Sequence, residues 1–145
     1  MVVGHEAARV RAAVADLSVE IVENRDWPSG VGSSVAFGVS ELTRHSCDAR
    51  AVALLVSDQP FVTRDHLEAL AAAVREGAPL AASMYAGTEG VPAVFGPSIV
   101  PELRELRGDT GAKDVVRRYL SSAALLPFAE AEYDVDTPSD LTRLR

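Results

Sequence analysis

Short apolar runs alternate along the chain with segments in which apolar residues recur every three or four positions. The clearest run is AVALLV, residues 51–56, whose unbroken apolar character predicts a strand buried on both faces, as in the middle of a parallel sheet. The clearest helix is predicted over residues 64–77, where Leu67, Leu70 and Val74 share one face and Gly77 ends the pattern. This alternation predicts an α/β fold of three layers with a mostly parallel sheet.

The remaining elements follow from the same two periodicities. Further strands are predicted at residues 1–3, 18–22, 79–85, 91–95 and 125–128, and further helices at residues 7–17, 33–45, 97–106 and 112–120 and from about residue 137 onwards. Pro92 lies within the strand at 91–95, so we expect that strand at an edge of the sheet or at a point of entry. The length of 145 residues fits a single domain over residues 1–145.

Composition narrows the class of partner. The chain is 48% hydrophobic and 24% charged, which is ordinary for a globular protein, and its net charge of −7 argues against a nucleic-acid or anionic membrane partner. No apolar run approaches the roughly 20 residues that a bilayer span requires. A single cysteine, Cys47, permits no internal disulfide, which predicts a cytoplasmic location.

An acid follows the predicted central strand directly, in the segment S-D-Q-P. Ligands of open parallel sheets collect at the carboxyl ends of the strands, and a carboxylate such as Asp58 is a good ligand for Mg²⁺ there. The alternative is that Asp58 caps the helix beginning near Arg64 or turns the chain. Taken alone, the residues favour that structural role.

A second group of acids lies near the C-terminus, in Y-D-V-D-T-P-S-D. Asp134 and Asp136 point to the same side if this stretch is extended, which suits a metal site. A helix start with Asp136 or Thr137 as its N-cap and Asp140 in its first turn explains the other acids equally well. It does not explain Asp134.

Two glycine-containing loops precede predicted helices, in W-P-S-G-V-G-S-S and in G-D-T-G-A-K, residues 108–113. Free backbone amides at such positions can bind a phosphate or another anion, and Lys113 adds a positive charge to the second loop. An ordinary helix N-terminus, capped by a side chain of the loop, is the commoner explanation of each.

The order of five segments is more specific than any one of them. W-P-S-G-V-G-S-S-V, L-L-V-S-D-Q-P-F-V, G-V-P-A-V-F, E-L-R-E-L-R-G-D-T-G-A-K and D-V-D-T-P-S-D-L closely resemble segments of the MobA-like NTP transferase family, which contains molybdenum cofactor cytidylyl- and guanylyltransferases. The resemblance runs from Val2 to the C-terminus. It implies a Rossmann-like nucleotidyltransferase fold and a Mg²⁺-dependent transfer of CMP or GMP from CTP or GTP to a phosphorylated acceptor such as molybdopterin.

The resemblance also implies roles for particular residues. Asp58 corresponds to the catalytic, metal-binding acid, and Asp134 or Asp136 to an acid near the same metal. The residues implied to contact the nucleotide are Gly30, Gly32, Ser33 and Ser34. The residues implied to contact the acceptor are Gly108, Asp109, Gly111 and Lys113.

One departure from the family pattern changes the expected activity. The N-terminal segment L-A-A-G-x-S-x-R-[MF]-G-x-x-K, which carries the family's triphosphate-binding glycines, is absent from this sequence. We therefore expect a fold that is incomplete at its N-terminus, without the first strand, loop and helix. We also expect a poor or inactive catalyst unless another chain or a homo-oligomer completes it. The alternative is an inactive relative that serves as a ligand-binding or protein-interaction module.

Overall fold

The structure, a computed structural model, describes residues 1–45, 51–135, 137, 139 and 140. The strands in this part of the chain are β1 (Val2–Val3), β2 (Val22–Glu23), β3 (Val52–Leu54), β4 (Leu80–Tyr85), β5 (Thr88–Phe95) and β6 (Ala124–Pro127). The helices are α1 (Ala7–Ala13), α2 (Val31–His45), α3 (Arg64–Arg75), α4 (Val100–Arg104) and α5 (Ala112–Arg118), with short 3-10 helices at Trp27–Ser29 and Ala129–Glu132. Two compact units result: unit 1 is Met1–Ala49 with Val100–Ala112, and unit 2 is Arg50–Ile99 with Lys113–Arg145.

Unit 1 contains a parallel pair of strands, in which Val2 of β1 lies opposite Val22 of β2. The strand predicted at residues 18–22 is therefore displaced, and the helix predicted to residue 17 ends at Ala13. The reason is that Leu17 and Val19 are exposed. Extending the helix to Leu17 or starting the strand before Val19 would therefore bury neither side chain. β2 comprises only the two residues, Val22 and Glu23, that pair with β1.

Unit 2 is built on a sheet with the strand order β3-β5-β4-β6. β4 and β6 are parallel, and β5 is antiparallel to both β3 and β4. It follows that β3, β4 and β6 all run in one direction and that β5 alone is reversed. The α/β character predicted from the sequence is confirmed, with one reversed strand. The prediction of a buried central strand at residues 51–56 is wrong, because β3 comes first in the strand order, pairs antiparallel with β5 and has an exposed Ala53, while Leu55 and Val56 lie beyond its end and are also exposed.

The expected edge position of the strand at 91–95 is wrong, because β5 lies between β3 and β4. Pro92 is tolerated there because the register against β4 shifts between Ala82 and Ser83, where Ala82 pairs with Ala93 and Ser83 with Gly90. Val91 and Pro92 thus form a bulge without ladder partners on β4, and a bulge is a position where a strand can accept a residue that lacks an N–H donor.

Helix α3 covers the sheet of unit 2 as the sequence predicts. Its Leu70 is fully buried with Ala81 and Val94, and Leu67 and Val74 pack against the same cluster. The Thr63 side chain accepts a hydrogen bond from the backbone N–H of His66 and caps the helix, and Gly77 lies just beyond its end with a φ of +114°. Throughout the described residues, no helix is both long enough and apolar enough to cross a membrane.

Candidate functional site

Three polar residues lie at the carboxyl ends of strands in the unit 2 sheet. Asp58 follows β3, Tyr85 is the last residue of β4, and Asp134 follows β6 and its 3-10 helix. Because β3, β4 and β6 run in the same direction, their carboxyl ends lie at one edge, which is where α/β sheets bind their ligands.

Asp58 does not cap the following helix, because that position is occupied by Thr63. Its carboxylate is half-buried, and its Oδ1 atom is enclosed without a hydrogen-bond partner among the described residues. The neighbouring Gln59 is 7% exposed, and its Oε1 atom is likewise buried without a described partner. A buried acceptor oxygen without a donor is costly in a folded chain, so these two oxygens, unpartnered among the described residues, are the observation from which a ligand role for Asp58 is proposed below.

The loop that follows β3 is joined to residues 131–135, which we call the C-terminal segment. The backbone N–H of Val135 donates to the carbonyl oxygen of Asp58 at 2.9 Å, and the Gln59 Nε2 atom donates to the carbonyl oxygen of Ala131 at 3.0 Å. The rings of Phe61 and Tyr133 meet edge to face with their centroids 6.0 Å apart. These contacts hold the segment that contains Asp134 beside the loop that contains Asp58.

The pKa of Tyr85 is raised in the folded chain. Burial is the main cause that raises the pKa of Tyr85, a hydrogen bond from the Gln59 side chain partly opposes it, and the negative charges of Asp134 and Asp58 raise it further.

The chemistry of these groups fits a hard divalent cation. Carboxylate and amide oxygens are the ligands that Mg²⁺ accepts, and Mg²⁺ commonly uses one or two carboxylates and completes its shell with water and substrate phosphates. Within the described residues, no group of three or more His, Cys, Asp or Glu side chains is placed to hold a metal. Asp136, which the sequence analysis also assigned to the metal, lies outside the described residues.

The two glycine-containing loops contact each other within unit 1. The backbone N–H of Gly32 donates to the carbonyl oxygen of Gly108 at 2.9 Å. A Cβ atom on Gly32 would lie 2.6 Å from the carbonyl oxygen of Thr110, and one on Gly30 would collide with the backbone of Gly108 and lie 2.9 Å from Oδ1 of Asp109. Packing between backbones thus requires glycine at both positions of the first loop.

Ser33 and Ser34 lie in the first turn of α2, and their hydroxyl groups form different numbers of hydrogen bonds. Ser33 is 8% exposed; its Oγ accepts from Nδ2 of Asn24 at 3.0 Å, and its proton has two carbonyl oxygens within reach, those of Gly30 and Asp26. Ser34 is half-buried, and among the described residues its Oγ accepts from the same Asn24 amide alone, at 3.1 Å. Ser33 therefore ties the start of α2 to residues 24–30, whereas the Ser34 hydroxyl proton has no acceptor among the described residues.

A cleft of about 270 Å³ opens in unit 1 beside this loop. Its lining includes Asn24, Asp26, Ser33, Phe37, Arg104 and Arg107. The Arg107 guanidinium donates to the carbonyl oxygens of Leu106 and Arg104, so much of its hydrogen-bonding capacity is used within its own turn.

Lys113, the cation predicted for the acceptor side, belongs to unit 2, whereas Gly108, Asp109 and Gly111 belong to unit 1. A hydrogen bond from Arg117 is the main cause that lowers the pKa of Glu89, and the charge of Lys113 is the smallest of the contributing causes. Nε of Arg117 donates to Oε1 of Glu89 at 2.8 Å.

Sequence reasoning missed Gln59 and Tyr85 as members of the site. Gln59 stands directly beside Asp58 in the D-Q-P segment, so its proximity to a predicted ligand was the available signal. Tyr85 ends a strand that runs in the same direction as β3, and the rule that places ligands at carboxyl ends applies to it as well.

Comparisons with known proteins agree with this architecture. The family model of the MobA-like NTP transferase domain matches residues 1–123. The chain is 32% identical over 124 residues to the purine catabolism protein PucB of Bacillus subtilis, a match that covers 83% of this chain but only 58% of PucB.

Two solved structures extend the comparison to the fold. Rv0371c of Mycobacterium tuberculosis in complex with manganese superposes with a TM-score of 0.76 at 27% identity, over 99% of this chain and 75% of that one. A nucleotidyl transferase from Methanothermobacter thermautotroptrophicus superposes with a TM-score of 0.74 at 21% identity, over 99% of this chain and 69% of that one, which is a likeness of fold. The predicted α/β nucleotidyltransferase fold is confirmed.

Proposed function

Since the chain belongs to the MobA-like NTP transferase family, we propose that it transfers CMP or GMP from CTP or GTP to a phosphorylated acceptor such as molybdopterin. Mg²⁺ is the proposed metal and the cytoplasm the proposed compartment. The match covers 58% of the length of PucB, so the substrates named here are a proposal for this chain.

The buried Oδ1 atom of Asp58, which has no described hydrogen-bond partner, is the observation that carries the proposal. In this proposal Asp58 is the catalytic metal ligand and Asp134 lies near the same ion, with Asp136 as a further candidate. A divalent cation held there neutralises phosphate charge and aligns the attacking and leaving groups. The manganese complex of Rv0371c supports the use of a divalent cation among related folds.

The two glycine-containing segments are the proposed substrate contacts. The nucleotide is proposed to meet Gly30, Gly32, Ser33 and Ser34, with Ser33 acting through the loop that its hydroxyl group holds together. The acceptor is proposed to meet Gly108, Asp109, Gly111 and Lys113. The hydrogen bond between Gly32 and Gly108 supports this arrangement, because it joins the two segments to which these contacts are assigned.

Pyrophosphate release tests the proposal. Wild-type chain is incubated with molybdopterin, with CTP or GTP, and with Mg²⁺ or EDTA, and pyrophosphate is measured by a coupled assay. We expect Mg²⁺-dependent release, its abolition in Asp58→Asn, and its retention in Asp65→Asn, an exposed acid at the start of α3 that serves as the matched control. Equal activity of wild type and Asp58→Asn would contradict the role of Asp58.

The same assay separates the enzyme from the binding module. A chain that binds CTP or GTP by calorimetry but releases no pyrophosphate with any acceptor, at an enzyme concentration equal to that of the substrate, is a binding module. Single-turnover conditions make slow transfer detectable, so a failure to release pyrophosphate there separates the two hypotheses.

A further inference from the structure

We propose that Gln59 is a positioning residue, which holds the C-terminal segment so that Asp134 stays beside Asp58. The inference rests on the proposed function, since it takes Asp58 to be a metal ligand. It adds a residue that acts on the metal site through another part of the chain.

The first argument is the hydrogen bond of the Gln59 side chain. Its Nε2 atom donates to the carbonyl oxygen of Ala131 at 3.0 Å, across 72 positions of sequence, and Gln59 and Ala131 are 7% and 0% exposed. A hydrogen bond between two buried groups is costly to break, because its donor would be left without water.

The orientation of the amide follows from the same contact. If the amide group of Gln59 were turned over, its Oε1 atom would face the Ala131 carbonyl oxygen, and two acceptors would repel each other. Donation by Nε2 therefore determines the orientation and leaves Oε1, together with Oδ1 of Asp58, as buried acceptors without described partners.

The second argument is the cooperation of neighbouring contacts. Gln59 adjoins Asp58 in the chain, and the carbonyl oxygen of Asp58 accepts from the N–H of Val135 at 2.9 Å. Asp134 lies between the two anchored residues Ala131 and Val135, so its backbone cannot move away while both hydrogen bonds hold. Loss of the Gln59 bond leaves that stretch anchored at one end.

Mn²⁺ binding, measured by electron paramagnetic resonance of the free ion, tests the role without any turnover. Gln59→Met keeps the length of the side chain and removes the donor. We expect it to weaken Mn²⁺ binding roughly 10-fold or more, as loss of groups that orient metal ligands usually does. Ser83→Ala is the matched control, because Ser83 is a fully buried side chain of the same unit whose hydroxyl donates to the Pro92 carbonyl oxygen.

A double-mutant cycle separates positioning from simple destabilisation. If Gln59 acts by holding Asp134, then Asp134→Asn weakens Mn²⁺ binding in the wild type and in Ser83→Ala but has little further effect in Gln59→Met. Additive losses in Gln59→Met, or its wild-type Mn²⁺ affinity, would overturn the inference. Absence of Mn²⁺ binding in the wild type would instead overturn the proposed function.

A second variant, Gln59→Asn, tests the same role if Gln59→Met does not fold. Gln59→Asn keeps the amide but withdraws it by one methylene, so that it no longer reaches Ala131. It is expected to show the same weakened Mn²⁺ binding and the same loss of the Asp134 effect, and wild-type behaviour of this variant would equally overturn the inference.

Discussion

The backbone N–H of Gly32 donates a 2.9 Å hydrogen bond to the carbonyl oxygen of Gly108, across 76 positions of sequence. Each residue lies in one of the two loops that the sequence suggested as anion-binding turns. The loops pack backbone to backbone, so the glycines are required by the contact between them as well as by any ligand. A substitution in one loop will therefore disturb the other.

Gly32→Ala tests this packing. Its Cβ atom would lie 2.6 Å from the Thr110 carbonyl oxygen and 2.9 Å from backbone atoms of Arg107, and backbone cannot be displaced as easily as a side chain. We expect the free energy of unfolding to fall by about 1–3 kcal/mol, as for other overpacked sites, when measured by urea denaturation.

Gly111→Ala is the matched control for that measurement. The nearest atom to its Cβ would be Cγ1 of Val31 at 3.3 Å, a side-chain atom that can give way. We expect a change of less than about 1 kcal/mol there, within the usual range for tolerated substitutions. Equal stabilities of the two variants would show that the backbone contact imposes no constraint at Gly32.

Ser33→Ala and Ser34→Ala should separate loop stability from ligand binding. Ser33→Ala removes a buried hydroxyl that accepts from Asn24 and donates to a backbone carbonyl, so we expect a loss of about 1 kcal/mol in the free energy of unfolding. Ser34→Ala removes one half-buried acceptor and should change stability less while weakening CTP or GTP binding, as measured by calorimetry. A larger stability loss in Ser34→Ala would reverse this assignment.

The sequence predicted the parts of the site that depend on local pattern. Asp58 was found because the apolar run before it predicts a strand that ends just ahead of it, and helix α3 because its apolar face is regular. The pairing of Gln59 with Ala131 and of Gly32 with Gly108 joins residues far apart in sequence, and no local pattern encodes such contacts. The interior position of β5 was missed for the same reason, because Pro92 argues for an edge until the bulge opposite Ala82 and Ser83 is known.

His66 makes the stability of unit 2 depend on pH. Its ring stacks on Phe128 with centroids 4.1 Å apart, and its Nε2 atom hydrogen-bonds Oγ of Ser83 at 2.8 Å. Burial lowers the pKa of His66, and the charge of Glu130 opposes this in part. Because the pKa is lower in the folded chain than in the unfolded chain, the neutral ring stabilises the fold above about pH 6.5, and this stability is lost as the pH falls through the folded pKa.

Thermal denaturation at pH 7.5 and pH 5.5 measures this dependence. His66→Gln cannot titrate and keeps an amide that can hydrogen-bond Ser83, so its midpoint should fall less than that of the wild type between the two pH values. Other groups titrate in both proteins and cancel in the comparison. An equal fall in the two proteins would exclude His66 as a source of acid sensitivity.

Asp58→Asn provides the sharpest distinction between a ligand and a turn residue. If Asp58 is present to bind a metal, its buried Oδ1 atom is a cost to the metal-free chain, and the substitution should leave the stability in EDTA unchanged or raise it by about 1 kcal/mol. Mn²⁺ at 100 times its dissociation constant should stabilise the wild type by about 2.7 kcal/mol and Asp58→Asn hardly at all. If the substitution instead destabilises the chain in EDTA and Mn²⁺ stabilises neither protein, the carboxylate serves the turn after β3, as the residues taken alone had favoured.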